Sequence, residues 1–250
     1  MLIGVDHLVI AVADPDAAVA ELQVKLGLAP GGGGRHERLG TFNRLVWLGD
    51  TYLELISVFD RVAAAHSWLG APTLRALETG GGLATWAIAS DDLAADVATL
   101  QHGGSTLAEP VDGERARTDG RVVRWRLSVP EQLDRDRPPF LIEHDLTAAE
   151  WSTVDRAERA TAPTRLTVLE LGVDDPNVTS RSLLRTVGLR FRPSLSGGGA
   201  RDTDIGTQLL RLRPTHGRAQ PRTTVHLRTR HHGSADADAL GCHWILRSIP

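Results

Sequence analysis

The sequence predicts an α+β fold assembled from repeated strand–helix–strand–strand–strand units, and two observations carry that prediction. Asp14-Pro15 and Gly27-Leu28, which bracket one helical pattern, return as Asp175-Pro176 and Gly188-Leu189 at a single offset of 161 residues. An identical offset at both ends of a segment marks an internal repeat. The second observation is that short strand-like runs follow each helical pattern: RLVWLG and TYLELISV, then RVVRWRLSV and PFLIEHD, then TQLLRLR and TTVHLRTR.

The elements follow in order. Residues 5–12, VDHLVIAV, read as a strand. Asp14 then serves as N-cap, Pro15 fits the first helical position, and Val19, Leu22 and Leu26 keep helical spacing up to Gly27. A weaker copy starts at LATWAIASDD, where Asp92 precedes Leu93, Val97 and Leu100 and Gly103-Gly104 closes the helix. The third copy opens at LTVLELGVDDPN. Between the second and third lies Leu146 to Thr164, polar, alanine-rich and ending near Pro163, which suits a linker or helix. The expected organisation is therefore 1–147 as two modules carrying the site, 148–164 as a connection, and 165–250 as a third module that need not be complete.

The chemistry concentrates between Gly31 and Val58, where four glycines precede His36, Asn43 and Glu54. Glycines here give backbone freedom and close approach. Strand alternation in TYLELISV puts Tyr52, Glu54 and Ile56 on one face, opposite Leu53 and Leu55. A carboxylate flanked by Tyr and Ile needs a partner if buried: a metal, a cation or a polar ligand. His7 on the opening strand is one candidate, and the two could equally form a buried pair that orders the sheet. By the same alternation Leu141 and Glu143 are expected to share a face opposite Ile142 and His144.

Composition narrows the function classes. A net charge of -3, with arginines scattered among acids, offers no basic stripe for nucleic acid. No run approaches the ~18 apolar residues of a membrane span, and MLIGVDHLVIAV enters a strand without a basic leader, so a cytoplasmic location is expected. Cys242 is the one cysteine, which excludes an intramolecular disulfide and any cysteine-cluster metal site. GGGG and SGGG lack the ending of a phosphate loop.

Paired βαβββ units with His on an opening strand and Glu on a closing strand resemble the vicinal oxygen chelate superfamily, which includes glyoxalase I, extradiol dioxygenases and bleomycin-resistance proteins. GGRHERLGTFNRLVWLGDTYLELI, RARTDGRVVRWRL and PFLIEHD resemble its glyoxalase-like domain family in particular, over about residues 3 to 147. The resemblance implies two modules forming a cupped mixed sheet whose concave face holds a divalent metal such as zinc, nickel, manganese or iron. Carried over position by position, it implies His7, Glu54 and Glu143 as ligands, with Thr85 or Trp86 standing where a fourth is usual. It further implies Glu54, Glu143 and His36 as proton-moving groups, and Asn43, Tyr52, Arg117, Asp119, Arg124 and Arg126 as substrate contacts. Arg124 and Arg126 share one strand face, away from Trp125, and suit either a bidentate grip on substrate oxygens or pairing with surface acids. The implied activity is a metal-dependent lyase or isomerase reaction on a small oxygen-rich metabolite; the alternative is metal-free ligand binding or antibiotic sequestration. The third module is expected to pack or to form an interface, which leaves a homodimer as an expected arrangement.

Overall fold

The computed structural model describes residues 1–116, 122–131, 139–144, 164–215, 217, 222–230 and 233–249. Its first module comprises β1 (Leu2–Ala11), α1 (Pro15–Leu26), β2 (Pro30–His36), β3 (Thr41–Leu48) and β4 (Thr51–Val58). The second comprises β5 (Gly82–Ser90), α4 (Leu93–His102), β6 (Val111–Ala116), β7 (Val122–Ser128) and β8 (Phe140–His144). Between them Asp60 caps α2 (Arg61–Ala65) and α3 (Gly70–Glu78) follows, two helices that the strand-centred sequence reading does not anticipate. The eight strands form one mixed sheet in the order β2-β3-β4-β1-β5-β8-β7-β6. Its two halves meet where β1 pairs antiparallel with β5. The sheet curls until its edge strands β2 and β6 approach each other, so its concave face becomes a cavity.

The repeat is physical as well as textual. The Asp14 carboxylate accepts from the amides of Asp16 and Ala17, at 2.9 and 3.2 Å, and Gly27 ends α1 at φ 69°. Asp175 does the same for Asn177 and Val178, at 2.7 and 3.3 Å, at the start of α5 (Pro176–Val187), which Gly188 ends at φ 73°. Such caps satisfy amide donors that the helix itself leaves open.

After β9 (Thr164–Val173) and α5 the chain adds β10 (Arg192–Pro193), β11 (Arg201–Ile205) and β12 (Gln208–Pro214). It then adds β13 (Thr223–Thr229), β14 (Ala235–Ala239) and β15 (Cys242–Ser248). These make a second mixed sheet, β10-β11-β12-β9-β13-β15-β14. Residues after 164 therefore do more than form one unit: β13, β14 and β15 join the far side of β9, as β5, β7 and β8 join β1. The face expected to need cover is buried within the chain. Leu169, Leu171, Leu210, Leu212 and Trp244 of the second sheet share a core with Leu8, Ile10, Leu53 and Leu55 from the back of the first, and with Leu22 and Leu183 of the helices. No helix among the described residues is long and apolar enough to cross a membrane.

The contact between the sheets includes a buried polar lock. Gln208 Oε1 accepts from the Val5 amide at 3.2 Å and its Nε2 donates to Thr51 Oγ1 at 3.3 Å, while that hydroxyl donates to the Val5 carbonyl at 2.9 Å. Gln208→Leu would leave the Val5 amide without its acceptor. The expected loss is about 1–3 kcal/mol of stability, measured as a lower urea midpoint at unchanged m-value.

Candidate functional site

The site grows from a kink in the central strand. Between Val5, opposite Ile88, and His7, opposite Ala87, the β1–β5 register shifts, leaving Asp6 as the extra residue of a β-bulge. Val5 and Leu8 go to the core behind the sheet, whereas Asp6 and His7 form a polar cluster at its concave side. On neighbouring β4, Tyr52 lies beside His7 and Glu54 beside Val9. Alternation sends Tyr52 and Glu54 to the cavity and Leu53 and Leu55 to the back core, as the spacing predicted.

At the floor, Glu54 is only 6% exposed and His7 3%. His7 Nε2 lies 3.6 Å from Glu54 Oε2, and His36 Nε2 lies 3.9 Å from Glu54 Oε1. Asn43 donates to Glu54 Oε1 at 2.5 Å, and its own Oδ1 accepts from the Gly34 amide at 2.8 Å, which fixes the amide orientation. The glycine-rich strand β2 thus aims Asn43 at the carboxylate. Behind His7, Asp6 Oδ1 sits 2.6 Å from Nδ1; the same carboxylate is 3.1 and 3.2 Å from His144 Nε2, reaching in from β8. Tyr52 stacks on the His7 ring at 4.5 Å between centroids, and Phe140 meets it edge-on at 5.4 Å. Trp47, Trp68 and Trp125 complete an aromatic wall.

Burial alone would raise the Asp6 carboxyl, but the charge of His144, the hydrogen bonds from His144 and His7, and the charge of His7 outweigh it. Asp6 therefore titrates far below the ordinary carboxylate range.

The structure distributes the sequence-named residues unevenly. His7, His36, Asn43, Tyr52 and Glu54 line one cavity. Glu143 does not join them: its Oε2 accepts from the Leu93 amide at 3.1 Å, at the start of α4. Phe140, Ile142 and His144 line the cavity instead, and Leu141 lies in the back core, so the expected facing of β8 is reversed. The run Phe140-Leu141-Ile142 is apolar on both faces, and a one-residue slip exchanges them all. Arg124 and Arg126 are half-exposed beside Glu114 and Asp112, at 3.6 and 3.7 Å, while the intervening Trp125 lines the cavity. They take the surface-acid pairing rather than the floor. Arg117 and Asp119 lie outside the described residues. Asp6 and His144 carry no assignment in the sequence reading; the Asp-His and His-Asp pairs were the available signal, but only the bulge and the β8 register bring them together.

These positions also test the implied metal. The pairing of β5 with β8 repeats that of β1 with β4: Phe140 lies beside Ala87 as Tyr52 lies beside His7, and Ile142 lies beside Ala89 as Glu54 lies beside Val9. The second module therefore offers Ala87 and Ile142 where the first offers His7 and Glu54. Neither Thr85 nor Trp86 takes the ligand place: Thr85 pairs with Val9, and Trp86 is buried in the back core. With Glu143 at α4, no group of three or more His, Cys, Asp or Glu among the described residues is arranged to hold a metal ion. The donor set does not fit the expected three-ligand centre.

The Asp6 shift fixes a sign for pH dependence. With its folded pKa below its unfolded value of about 3.9, Asp6 stabilises the fold fully above about pH 5 and loses that contribution as the pH falls. Asp6→Asn should lower the neutral-pH unfolding free energy by roughly 3 kcal/mol. It should also flatten the dependence between about pH 5 and pH 2, as measured by denaturant titrations across that range.

A family model matches the sequence, and one solved structure shares the overall architecture. The model of the glyoxalase-like domain family matches residues 5–187. A crystal structure of a hypothetical protein from Staphylococcus aureus superposes with a TM-score of 0.80 at 17% identity, covering 98% of this chain and 99% of that one. Methylmalonyl-CoA epimerase from Mycobacterium tuberculosis is 22% identical with a TM-score of 0.45, covering 58% of this chain and 91% of that one. No curated protein matches the chain. With the family model spanning most of the sequence and the paired modules curled around one cavity, the chain belongs to the glyoxalase-like domain family of the vicinal oxygen chelate superfamily.

Proposed function

We propose that this protein is a proton-transfer enzyme, of isomerase or lyase type, in which Glu54 and His7 act on a small oxygen-bearing metabolite without a divalent ion. The observation that carries this reading is the opposition of Glu54 Oε2 and His7 Nε2 across 3.6 Å at the cavity floor. Asn43 holds the other oxygen of Glu54, and Asp6 sits against the other nitrogen of His7. Each group is thereby oriented with one reactive atom toward the same place.

In the chemistry that suits this pair, Glu54 removes a proton from carbon next to a carbonyl. The C–H electrons move onto the carbonyl oxygen, and the Nε2 proton of the His7 imidazolium stabilises the developing negative charge. For isomerisation of an α-hydroxy ketone, that oxygen takes the His7 Nε2 proton, His7 takes the proton of the adjacent hydroxyl, and Glu54 returns its proton to the former carbonyl carbon; for elimination, the carbonyl re-forms as a β-substituent departs with its bonding electrons. Asp6 stabilises the imidazolium through Nδ1. The aromatic walls exclude water, which strengthens these electrostatic interactions.

A metal-dependent version of the same chemistry is what the superfamily suggests, but Ala87, Ile142 and the placement of Glu143 weigh against it. Ligand sequestration without turnover is the second reading, favoured by the aromatic walls at Trp47, Trp68 and Trp125. One experiment separates all three. Protein purified without a metal-binding tag is incubated in D2O with a panel of 2-oxo acids and α-hydroxy ketones, and proton NMR follows loss of the α-proton, with and without chelator. Enzyme-catalysed exchange is expected to survive chelation and to fall about 10²–10⁴-fold in Glu54→Gln. Loss on chelation, with recovery on adding zinc, nickel, manganese or iron(II), would establish the metal reading, and binding without exchange would establish sequestration.

A further inference from the structure

Two tryptophans occupy matching places in the two modules. Trp47 on β3 pairs with Tyr52 of β4, and Trp125 on β7 pairs with His144 of β8. In the strand order they stand second and seventh of eight, on opposite walls of the curled sheet, and both line the cavity. Each ring is pressed against a glycine of its neighbouring edge strand. A Cβ on Gly31 would collide with Trp47 Cδ1, and a Cβ on Gly113 would collide with Trp125 Nε1. The Trp47 indole also donates to the Gly31 carbonyl at 3.2 Å.

Backbone conformation does not explain these two glycines. Gly32 and Gly33 have φ of 110° and 158°, whereas neither Gly31 nor Gly113 is among the positive-φ residues. Alanine could adopt their backbone but could not coexist with the indoles as placed. The missing side chains therefore leave room for both indoles where they stand, in the walls of the cavity that His7 and Glu54 also line. The surrounding surface is suited to a ring rather than a flexible chain: Tyr52 already stacks on His7, and Phe140 meets Trp68 edge-on at 4.9 Å.

We propose that the cavity takes a substrate bearing a planar aromatic group, held between Trp47 and Trp125, with Gly31 and Gly113 setting the width available to it. The oxygen-bearing end of the same molecule then reaches His7 and Glu54. This names the substrate class for the reading given above and rests on its assignment of the cavity, but its test needs no turnover.

Isothermal titration calorimetry with phenylglyoxylate and cyclohexylglyoxylate compares a flat ring with a puckered ring of equal carbon count and charge. The aryl compound is expected to bind about tenfold more tightly or better, the effect of aromatic contacts on two sides. Gly31→Ala and Gly113→Ala should each weaken aryl binding about tenfold by driving an indole into the slot. Should either fail to fold, Trp47→Leu and Trp125→Leu, which remove bulk, should bring the two ligands within about twofold of each other. Equal affinities in the unsubstituted protein, binding of neither compound, or an aryl preference that survives both tryptophan replacements would overturn the proposal. Glu54→Gln, measured alongside, should keep the aryl preference: if turnover proves indifferent to it while the preference stands, proton transfer fails and the aromatic slot does not.

Discussion

The antiparallel pairing of β1 with β5, interrupted by the bulge at Asp6, is the constraint on which the site depends. It joins the two modules into one sheet and lies at the centre of the strand order, so every wall of the cavity is built outward from it. The extra residue puts a carboxylate beside His7, where strict alternation would send the two side chains to opposite faces. Buried at 5% exposure, that carboxylate is stable because two imidazoles answer it, one from each module. Loss of the bulge would shift His7, Asp6 or both relative to Glu54, because one residue of register exchanges the faces of a strand.

The modules share a frame but divide the labour. The first contributes His7, His36, Asn43 and Glu54; at the corresponding pairings the second contributes Ala87, Phe140 and Ile142. A polar floor under largely apolar walls suits acid–base chemistry, since each charge interaction gains strength as water is excluded. The same asymmetry removes donors that a symmetric metal centre would draw from both halves. Family membership alone does not decide the reaction.

The second sheet uses the same frame for another purpose. Where β1 carries His7, β9 carries Val168, and where Glu54 pairs with Val9, Arg211 pairs with Glu170. Arg211 is bound to Asp202 at 2.8 Å and Arg213 to Glu170 at 2.5 Å, so charges on that face are occupied with one another. The opposite face supplies Leu169, Leu210 and Trp244 to the core that backs the first sheet. Burying that apolar area on both sides anchors the curved floor, and the Gln208 lock fixes its position against β1.

The sequence by itself determined the parts governed by local rules. Asp-Pro starts and Gly-Leu stops defined α1 and α5, because caps and left-handed glycines act within a few residues. Alternation put Tyr52 and Glu54 on one face, because β4 is polar on one side and purely aliphatic at Leu53 and Leu55 on the other. Tertiary structure decided whatever depends on pairing between distant strands. Phe140-Leu141-Ile142 offers apolar groups to both faces, so only its pairing with β5 turned His144 inward and Glu143 toward α4. The Asp6 bulge is a mismatch between two strands and has no signature in either alone. Gly31 reads as part of a glycine-rich run and Gly113 carries no assignment until Trp47 and Trp125 are seen against them. Contacts of that kind are set by where the sheet curls, which depends on the packing of all the strands together.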